Sequence, residues 1–382
     1  MPSEELIAPT PAAEHAPAAP AAPAADAVPE TPSAPAAPAV ETPLTKLTAR
    51  LPDIINKAKH SEMWGVELSP DSAHAPTQVV LLKFLRANNN QVDAAEKQLL
   101  SALEWRKEMQ PAKLVTEAFP RAKFGDLGYV TTHKDEAGKE TVITWNIYGA
   151  VKNNKTTFGN VQEFLRWRTA LMELGVQKLN LNDITKPLAE DDEDIYRMLQ
   201  VHDYLSVSFF RMDPAVKTAS KQTIQTFSMA YPELLSHKYF VNVPAIMGWM
   251  FGFMKLFLAP ATLRKFHPMT SGTSLSTELK SLAASLPKEY GGQGPSVKEA
   301  ETVHLVDEAE AAPQEMESQA AAVTDTAAPT NPDVAQPEAQ PVETVAAETK
   351  PAAEIVVAAV APGVGTDGEA KPAAPLPKET AA

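Results

Sequence analysis

The stretch Leu199-Gln-Val-His-Asp-Tyr-Leu-Ser-Val-Ser208 alternates side chains between two faces and predicts a β-strand. Asp213-Pro214 then has the residues of a helix start, with Asp as N-cap and Pro at the first helical position. The predicted helix runs to Tyr231, and Lys238-Tyr-Phe-Val-Asn-Val243 predicts a second strand. A strand, a helix and a strand in this order imply two parallel strands joined by a right-handed crossover. The sequence therefore predicts an α/β fold with a mostly parallel sheet.

The next segment, Ala245 to Leu258, is apolar on almost every side. A helix with this pattern must be covered by protein or lipid, or it forms the lid of an apolar pocket. Because about 20 apolar residues are needed to cross a bilayer, the segment is too short for a transmembrane helix.

Both ends of the chain differ in composition from its middle. Residues 1–45 and 296–382 consist largely of Ala, Pro and acidic residues, with too few large apolar side chains to offset the entropy of ordering the chain. We expect both segments to be disordered. The formal net charge is −14, of which residues 1–45 carry −6 and residues 296–382 carry −12, so the middle carries +4. A mildly basic middle suits an anionic surface or ligand and does not require nucleic acid.

The middle of the chain divides into two predicted parts. Residues 46–115 have apolar residues at helical spacing and predict a small helical subdomain. Residues 116–295 predict the α/β part, in which a helix over residues 160–179 has Arg166 and Arg168 within its apolar face. A buried Arg there needs an anionic partner or ligand. The sequence contains no Cys, which excludes disulfides, thiolate metal sites and Cys nucleophiles.

Three ordered motifs resemble those of the CRAL-TRIO lipid-binding domains. They are Leu82-Lys-Phe-Leu-Arg-Ala87, Tyr231-Pro-Glu-Leu-Leu235 with Tyr239-Phe-Val-Asn-Val-Pro244, and Leu286-Pro-Lys-Glu-Tyr-Gly-Gly292. The resemblance covers about residues 50–294. It implies the CRAL-TRIO fold, in which a helical subdomain precedes a mostly parallel sheet that floors an apolar pocket, with residues 245–258 as the gate helix. Members of the family extract a lipid or another hydrophobic molecule from a membrane and hold it.

Three further segments look like a fungal branch of that family, known for transferring phosphatidylinositol and for binding ferric haem through a Tyr. They are Phe164-Leu-Arg-Trp-Arg168, Val201-His-Asp-Tyr204 and His237-Lys-Tyr-Phe-Val-Asn-Val-Pro244. The resemblance implies haem b in the ferric state, cytoplasmic location with peripheral attachment to endoplasmic reticulum and microsomal membranes, and roles in oxidant stress response and phosphoinositide homeostasis.

In this interpretation Tyr204 is the iron ligand and His202 lies beside it on the same side of one strand. Arg168 and Lys238 supply positive charge that stabilises a phenolate or pairs with the haem propionates, and Tyr148 donates a hydrogen bond. From the residues alone, a His-X-Tyr pair on a strand is more often an ordinary hydrogen-bonded pair. A plain phosphatidylinositol transfer protein with no haem role is therefore the alternative.

The resemblance also implies a site for the inositol headgroup at Glu233 and Lys265. A Lys can hold the phosphate, and a carboxylate can accept hydrogen bonds from inositol hydroxyls. Without the resemblance, both residues are ordinary surface charges. Met198 and Gln200 stand where two-lipid members have Ser or Thr for phosphatidylcholine, which argues against a choline lipid.

An enzymatic function is not expected, because the His residues are scattered, no nucleophile motif is present and no Gly-rich phosphate loop follows a strand. The first residues have neither the basic region nor the apolar run of a signal peptide. The expected partners are phosphatidylinositol and a membrane surface, without nucleic acid. A pure interaction module that works through its tails is a further alternative.

Overall fold

The computed structural model describes residues 41–189, 192–207, 213–244 and 264–307. The expected gate helix over residues 245–258 lies outside the described residues. The described α-helices are α1 (Pro43–Ala58), α2 (Ala75–Ala87), α3 (Val92–Met109), α4 (Pro111–Leu114), α5 (Arg121–Phe124), α6 (Asn154–Phe158), α7 (Val161–Gln177), α8 (Pro214–Ala230) and α9 (Leu275–Glu278). The described strands are β1 (Glu62–Met63), β2 (Val66–Glu67), β3 (Phe119–Pro120), β4 (Gly128–Lys134), β5 (Glu140–Ile147), β6 (Met198–Asp203), β7 (Leu235–Val241), β8 (Phe266–Pro268) and β9 (Leu305–Val306).

A five-stranded sheet forms the centre of the α/β part, in the order β4-β5-β6-β7-β8. Strands β4 and β5 pair antiparallel, and the three following pairs are parallel. Helix α8 connects β6 to β7 and begins as predicted, with the Asp213 side chain accepting a hydrogen bond from the Ala215 backbone N–H. The predicted mostly parallel α/β fold is confirmed. Strand β6 is shorter than the predicted strand, because the backbone turns after Asp203 and Ser206 adopts a φ of 67°.

The two faces of the sheet meet different environments. One face of β5 and β6 contributes Ile143, Trp145, Leu199 and Val201 to an apolar core closed by α9 and the short helical turns after it. Residues alternate along a strand, so Gln200 and His202 lie on the opposite face. That face lines a cavity whose other wall consists of α7 and α8.

The helical residues share one continuous core with the α/β part. Side chains of α1–α3 belong to the same buried cluster as Trp167, Leu171 and Ala230. Two side chains of the helical part also cap the carbonyl end of α8, where orphan C=O groups need partners. Gln98 Nε2 donates to the carbonyls of Ser228 and Met229, and Trp64 Nε1 donates to that of Ala230. The helical part therefore fixes the end of one cavity wall.

At both ends, residues that were predicted to be disordered belong to ordered structure next to the central part of the chain. Helix α1 begins at Pro43 with Thr42 as its N-cap, three residues before the predicted boundary. Residues 297–306 are ordered as well, because Val297 and Val303 are buried and β9 pairs parallel with β3. The prediction missed these two apolar residues because it was based on the average composition of residues 296–382. No helix in the described ranges is long and apolar enough to cross a membrane.

Candidate functional site

A cavity lies between the sheet and helices α7 and α8. It holds about 710 Å³ of space not occupied by atoms, a volume that includes the part open to solvent. Its apolar and thioether lining residues are Phe164, Met172, Ile224, Phe227 and Leu235. Its polar lining residues are Tyr148, Arg168, Gln200, His202, Ser220, Thr223, Tyr231 and Lys238.

The fold brings the five predicted haem-site residues together. Tyr148 directly follows β5, His202 lies in β6 and Lys238 in β7, while Arg168 projects from α7. Tyr204 is the first residue after β6, and its ring stacks on that of Tyr148 with centroids 5.5 Å apart. The Tyr148 ring also lies 5.3 Å from the His202 ring in an edge-on arrangement. The five side chains therefore lie close together, and their roles in haem binding stay predictions.

Burial and mutual repulsion shift the protonation of this cluster. Desolvation and the neighbouring Arg168 guanidinium lower the pKa of Lys238 to about 7. Desolvation, Lys238 and Arg168 hold the pKa of His202 well below its ordinary value. Desolvation raises the pKa of Tyr204 well above 10. At neutral pH this cluster therefore contains the Arg168 guanidinium cation, a neutral His202 imidazole and a protonated Tyr204 phenol.

Several buried polar atoms at the cavity have no hydrogen-bond partner among the described residues. They are both ring nitrogens of His202 and the Nε and Nη1 atoms of Arg168. The Arg168 guanidinium does hydrogen-bond Tyr148 and lies 5.0 Å from the centre of the Phe227 ring. An unsatisfied buried polar group costs roughly 1–3 kcal/mol, and more when charged. These four atoms are therefore candidate partners for a ligand in the cavity.

These residues fit a ferric haem. The Tyr204 hydroxyl would supply the one oxygen ligand of the known tyrosine mode, and Arg168 with Lys238 would pair with the haem carboxylates. No group of three or more His, Cys, Asp or Glu residues within the described ranges could hold a bare metal ion. A single-residue ligand to haem iron does not need such a group, because the porphyrin supplies the other donors.

Glu233 and Lys265 form a separate pair. Lys265 Nζ lies 3.1 Å from Glu233 Oε2, and both side chains are about one quarter exposed. Glu233 has a left-handed backbone with φ of 53°, and its carbonyl accepts a hydrogen bond from the buried Lys83 at 3.1 Å. Lys83 also pairs with Asp194. The two residues predicted to bind the headgroup are therefore in contact with one another.

Sequence analysis did not identify Lys83 as part of this region. The signal was present, because a charged Lys interrupts the apolar run Leu81-Leu82-Lys83-Phe84-Leu85 on a helix that is buried along most of its length. A Lys in such a position needs buried anionic or carbonyl partners. Which partners it meets depends on residues more than 100 positions away, so the sequence could not name them.

Comparison with known proteins shows the family to which this chain belongs. Residues 43–101 match the CRAL/TRIO N-terminal domain, and residues 127–292 match the CRAL/TRIO domain. The crystal structure of Sfh5 superposes with a TM-score of 0.56 at 28% identity, covering 73% of this chain and 96% of that chain. The fold is that of a mostly parallel α/β protein, and the chain belongs to the CRAL-TRIO family, as predicted.

Two curated relatives have the name phosphatidylinositol transfer protein sfh5. The relative from Sclerotinia sclerotiorum is 55% identical over 263 residues, which cover 69% of this chain and 64% of the relative. The relative from Aspergillus clavatus is 55% identical over 266 residues, which cover 69% of this chain and 61% of the relative. The chain thus spans less than two thirds of the length of each.

Proposed function

We propose that this protein transfers phosphatidylinositol between membranes and that its cavity also binds ferric haem through Tyr204. The first part is supported by relatives named phosphatidylinositol transfer proteins and by a cavity that joins apolar walls to cationic groups. The Glu233–Lys265 pair has the two chemical functions that an inositol phosphate requires, a hydroxyl acceptor and a phosphate-binding cation. Gln200, on the cavity wall, replaces the Ser or Thr expected for a choline lipid.

Transfer of labelled phosphatidylinositol between vesicles tests this part. The wild-type protein is expected to transfer phosphatidylinositol and not phosphatidylcholine, and Glu233→Ala with Lys265→Ala is expected to lose at least tenfold in rate. Glu163→Ala with Lys123→Ala is the matched control, because it removes an ion pair of similar length and exposure. Equal transfer of both lipids, or equal loss in both double variants, would contradict the proposal.

The haem part rests on one observation, the unpartnered polar atoms of His202 and Arg168 beside Tyr204. Burial raises the pKa of the Tyr204 phenol, so loss of its proton needs a strong cation, which ferric iron provides. Arg168 and Lys238 would further stabilise the phenolate and pair with the propionates. When bound, the haem would bring a redox-active iron to the cavity.

Haem and phospholipid then compete for the same cavity, because His202 and Tyr204 project where an acyl chain would lie. Preloading with haemin is expected to lower phosphatidylinositol transfer by the wild-type protein and to leave transfer by Tyr204→Phe unchanged. Inhibition of both proteins to the same extent would indicate non-specific haemin binding. No inhibition of either would favour the alternative of a plain phosphatidylinositol transfer protein.

We further propose that the protein works in the cytoplasm and attaches peripherally to endoplasmic reticulum and microsomal membranes, with no enzymatic activity of its own. Lipid exchange requires transient contact with a bilayer surface, and the predicted charge of the central part is mildly positive, which suits anionic lipids. Fractionation of cells is expected to recover the protein in the cytosol and, in salt-extractable form, with microsomes. Resistance to salt extraction would contradict peripheral attachment.

A further inference from the structure

Asp203 ends strand β6 one residue before Tyr204, and its side chain lies on the face of the sheet away from the cavity. The carboxylate is buried, at 6% exposure, and accepts three hydrogen bonds. Its Oδ1 accepts from the Leu205 backbone N–H at 2.9 Å and from Asn242 Nδ2 at 2.7 Å. Its Oδ2 accepts from the Tyr290 hydroxyl at 2.9 Å. Both carboxylate oxygens of Asp203, which precedes the proposed ligand residue Tyr204, therefore have hydrogen-bond donors.

The partners of Asp203 are themselves held firmly. The Tyr290 ring is 2% exposed and stacks on Trp145 with centroids 4.5 Å apart. Asn242 directly follows the neighbouring strand β7, and its Oδ1 accepts a hydrogen bond from the Gly272 N–H at 2.7 Å. The carboxylate therefore connects the ends of β6 and β7 to the closing segment of the fold.

The turn after Asp203 sets the direction of Tyr204. The Tyr204 N–H donates to the Val241 carbonyl at 3.1 Å, and the Val207 N–H donates to the Tyr204 carbonyl at 3.0 Å. On the other side the turn rests on Gly149, where an added Cβ would meet the Leu205 carbonyl oxygen at 2.1 Å. Gly149 is adjacent to Tyr148, whose ring stacks on Tyr204.

We propose that Asp203 and Tyr290 are positioning residues that, from the opposite face of the sheet, hold the Tyr204 ring against Tyr148 and beside His202, both of which line the cavity. This inference rests on the proposed function of Tyr204 as a ligand. Because a ligand to iron must be held within a fraction of an ångström, its orientation depends on the residues behind it. Asp203 cannot be the base for Tyr204, since its two oxygens are engaged on the other face.

Tyr290→Phe tests the proposal, with Tyr129→Phe as the matched control. Tyr129 donates a hydrogen bond of 2.8 Å to Asp126, and its ring belongs to the same apolar core as Tyr290. Both variants lose one phenol–carboxylate bond, so both are expected to lose similar stability. Only Tyr290→Phe changes the environment of Asp203.

Two measurements read out Tyr204. The first is an NMR spectrum of the protein without added haemin, with the Cζ carbons of its seven tyrosines labelled. The resonance that disappears in Tyr204→Phe is assigned to Tyr204. We expect this resonance to shift or split in Tyr290→Phe and to stay unchanged in Tyr129→Phe. With haemin bound, we expect the tyrosinate absorption to shift and haemin to dissociate at least tenfold faster in Tyr290→Phe alone.

A second variant acts from the other side of the turn. Gly149→Ala places a methyl group against the Leu205 carbonyl and is expected to move the same Tyr204 resonance, so the test remains decisive where Tyr290→Phe does not fold. An unchanged Tyr204 resonance in either folded variant would overturn the positioning role. A wild-type protein that takes up no haemin would instead contradict the proposed function, and the ligand-free resonance would still decide the positioning.

Discussion

Two buried arginines lie on either side of the same cavity wall and have opposite surroundings. Arg106, at the helical interface, is 0% exposed and makes five hydrogen bonds to the carboxylates of Glu62 and Glu173. Arg168, at the cavity, is 2% exposed and leaves two nitrogens without a partner among the described residues. The buried charge of Arg106 is therefore neutralised within the protein, and we propose that the buried charge of Arg168 serves ligand binding.

The buried lysines repeat the difference. Lys83, at the helical interface, meets Asp194 and the carbonyls of Tyr196 and Glu233, which partly offset desolvation, and its pKa is lowered only to about 8. Lys238, at the cavity, faces the cation Arg168, and its pKa is lowered to about 7. The helical interface supplies its own anions, whereas we expect the cavity to obtain them from a ligand.

The largest expected effect comes from breaking the satisfied site. Glu173→Ala removes the carboxylate between Arg106 and the Tyr231 hydroxyl and leaves a buried guanidinium with one partner fewer. We expect the free energy of unfolding to fall by roughly 3–5 kcal/mol. Urea denaturation measures this loss, and a change below about 1 kcal/mol would show that the network contributes little.

Arg168→Met should have the opposite sign in the ligand-free protein. The substitution removes a buried charge with unsatisfied nitrogens and keeps apolar volume beside Phe227, so we expect stability to rise by about 1–2 kcal/mol. Haemin affinity should fall at the same time. Arg166→Met, on the same helix but partly exposed and paired with Glu117, is the control. Strong destabilisation by Arg168→Met would show that the Arg168 charge stabilises the fold, as the Arg106 charge does, and would contradict the proposed difference between the two arginines.

The pH dependence of stability gives a third comparison. Burial lowers the pKa of both His133 and His202, so the unfolded state binds more protons below about pH 6.5. The contribution of these two histidines to stability should be full above that pH and should fall as the pH drops, by at most about 1.4 kcal/mol per pH unit for each His. Thermal denaturation of His202→Phe should show a shallower fall than wild type. An identical slope would assign the effect to other groups.

The smallest expected change in stability belongs to the Glu233–Lys265 pair. Partly exposed ion pairs contribute about 0–1 kcal/mol, so Lys265→Ala should unfold within about 1 kcal/mol of wild type. Its phosphatidylinositol transfer should nevertheless fall at least tenfold. A loss of transfer that merely follows a large loss of stability would remove the evidence for a headgroup role.

The sequence predicted the elements that periodicity and turn chemistry control. The parallel strands around α8, its N-cap at Asp213 and the alternation that places His202 on the cavity face all follow from local pattern. The family motifs led to the five predicted haem-site residues, of which Tyr148, Arg168, His202 and Lys238 line the cavity. Their convergence also depends on which strands pair, and β5, which precedes Tyr148, pairs with β6 across more than 50 residues of chain.

Contacts across long sequence separations could not be predicted. The partners of Asp203 include Tyr290, 87 positions away, and those of Arg106 include Glu173, 67 positions away. Asp203 has hydrogen-bond donors at both carboxylate oxygens, whereas neither ring nitrogen of His202 has a partner among the described residues. The local sequence pattern does not distinguish these two residues. The tail boundary after residue 295 was missed for a similar reason, because Val303 is buried against distant parts of the chain.

The central claim is that the cavity completes its buried polar groups with a haem held by Tyr204. An absorption spectrum of the protein after addition of haemin and removal of the excess, recorded beside Tyr204→Phe and Tyr129→Phe, tests it most directly. We expect a Soret band with the pattern of high-spin ferric haem ligated by tyrosinate in the wild-type and Tyr129→Phe proteins, lost or shifted in Tyr204→Phe. A wild-type protein that stays colourless, or a spectrum that Tyr204→Phe leaves unchanged, would contradict the claim.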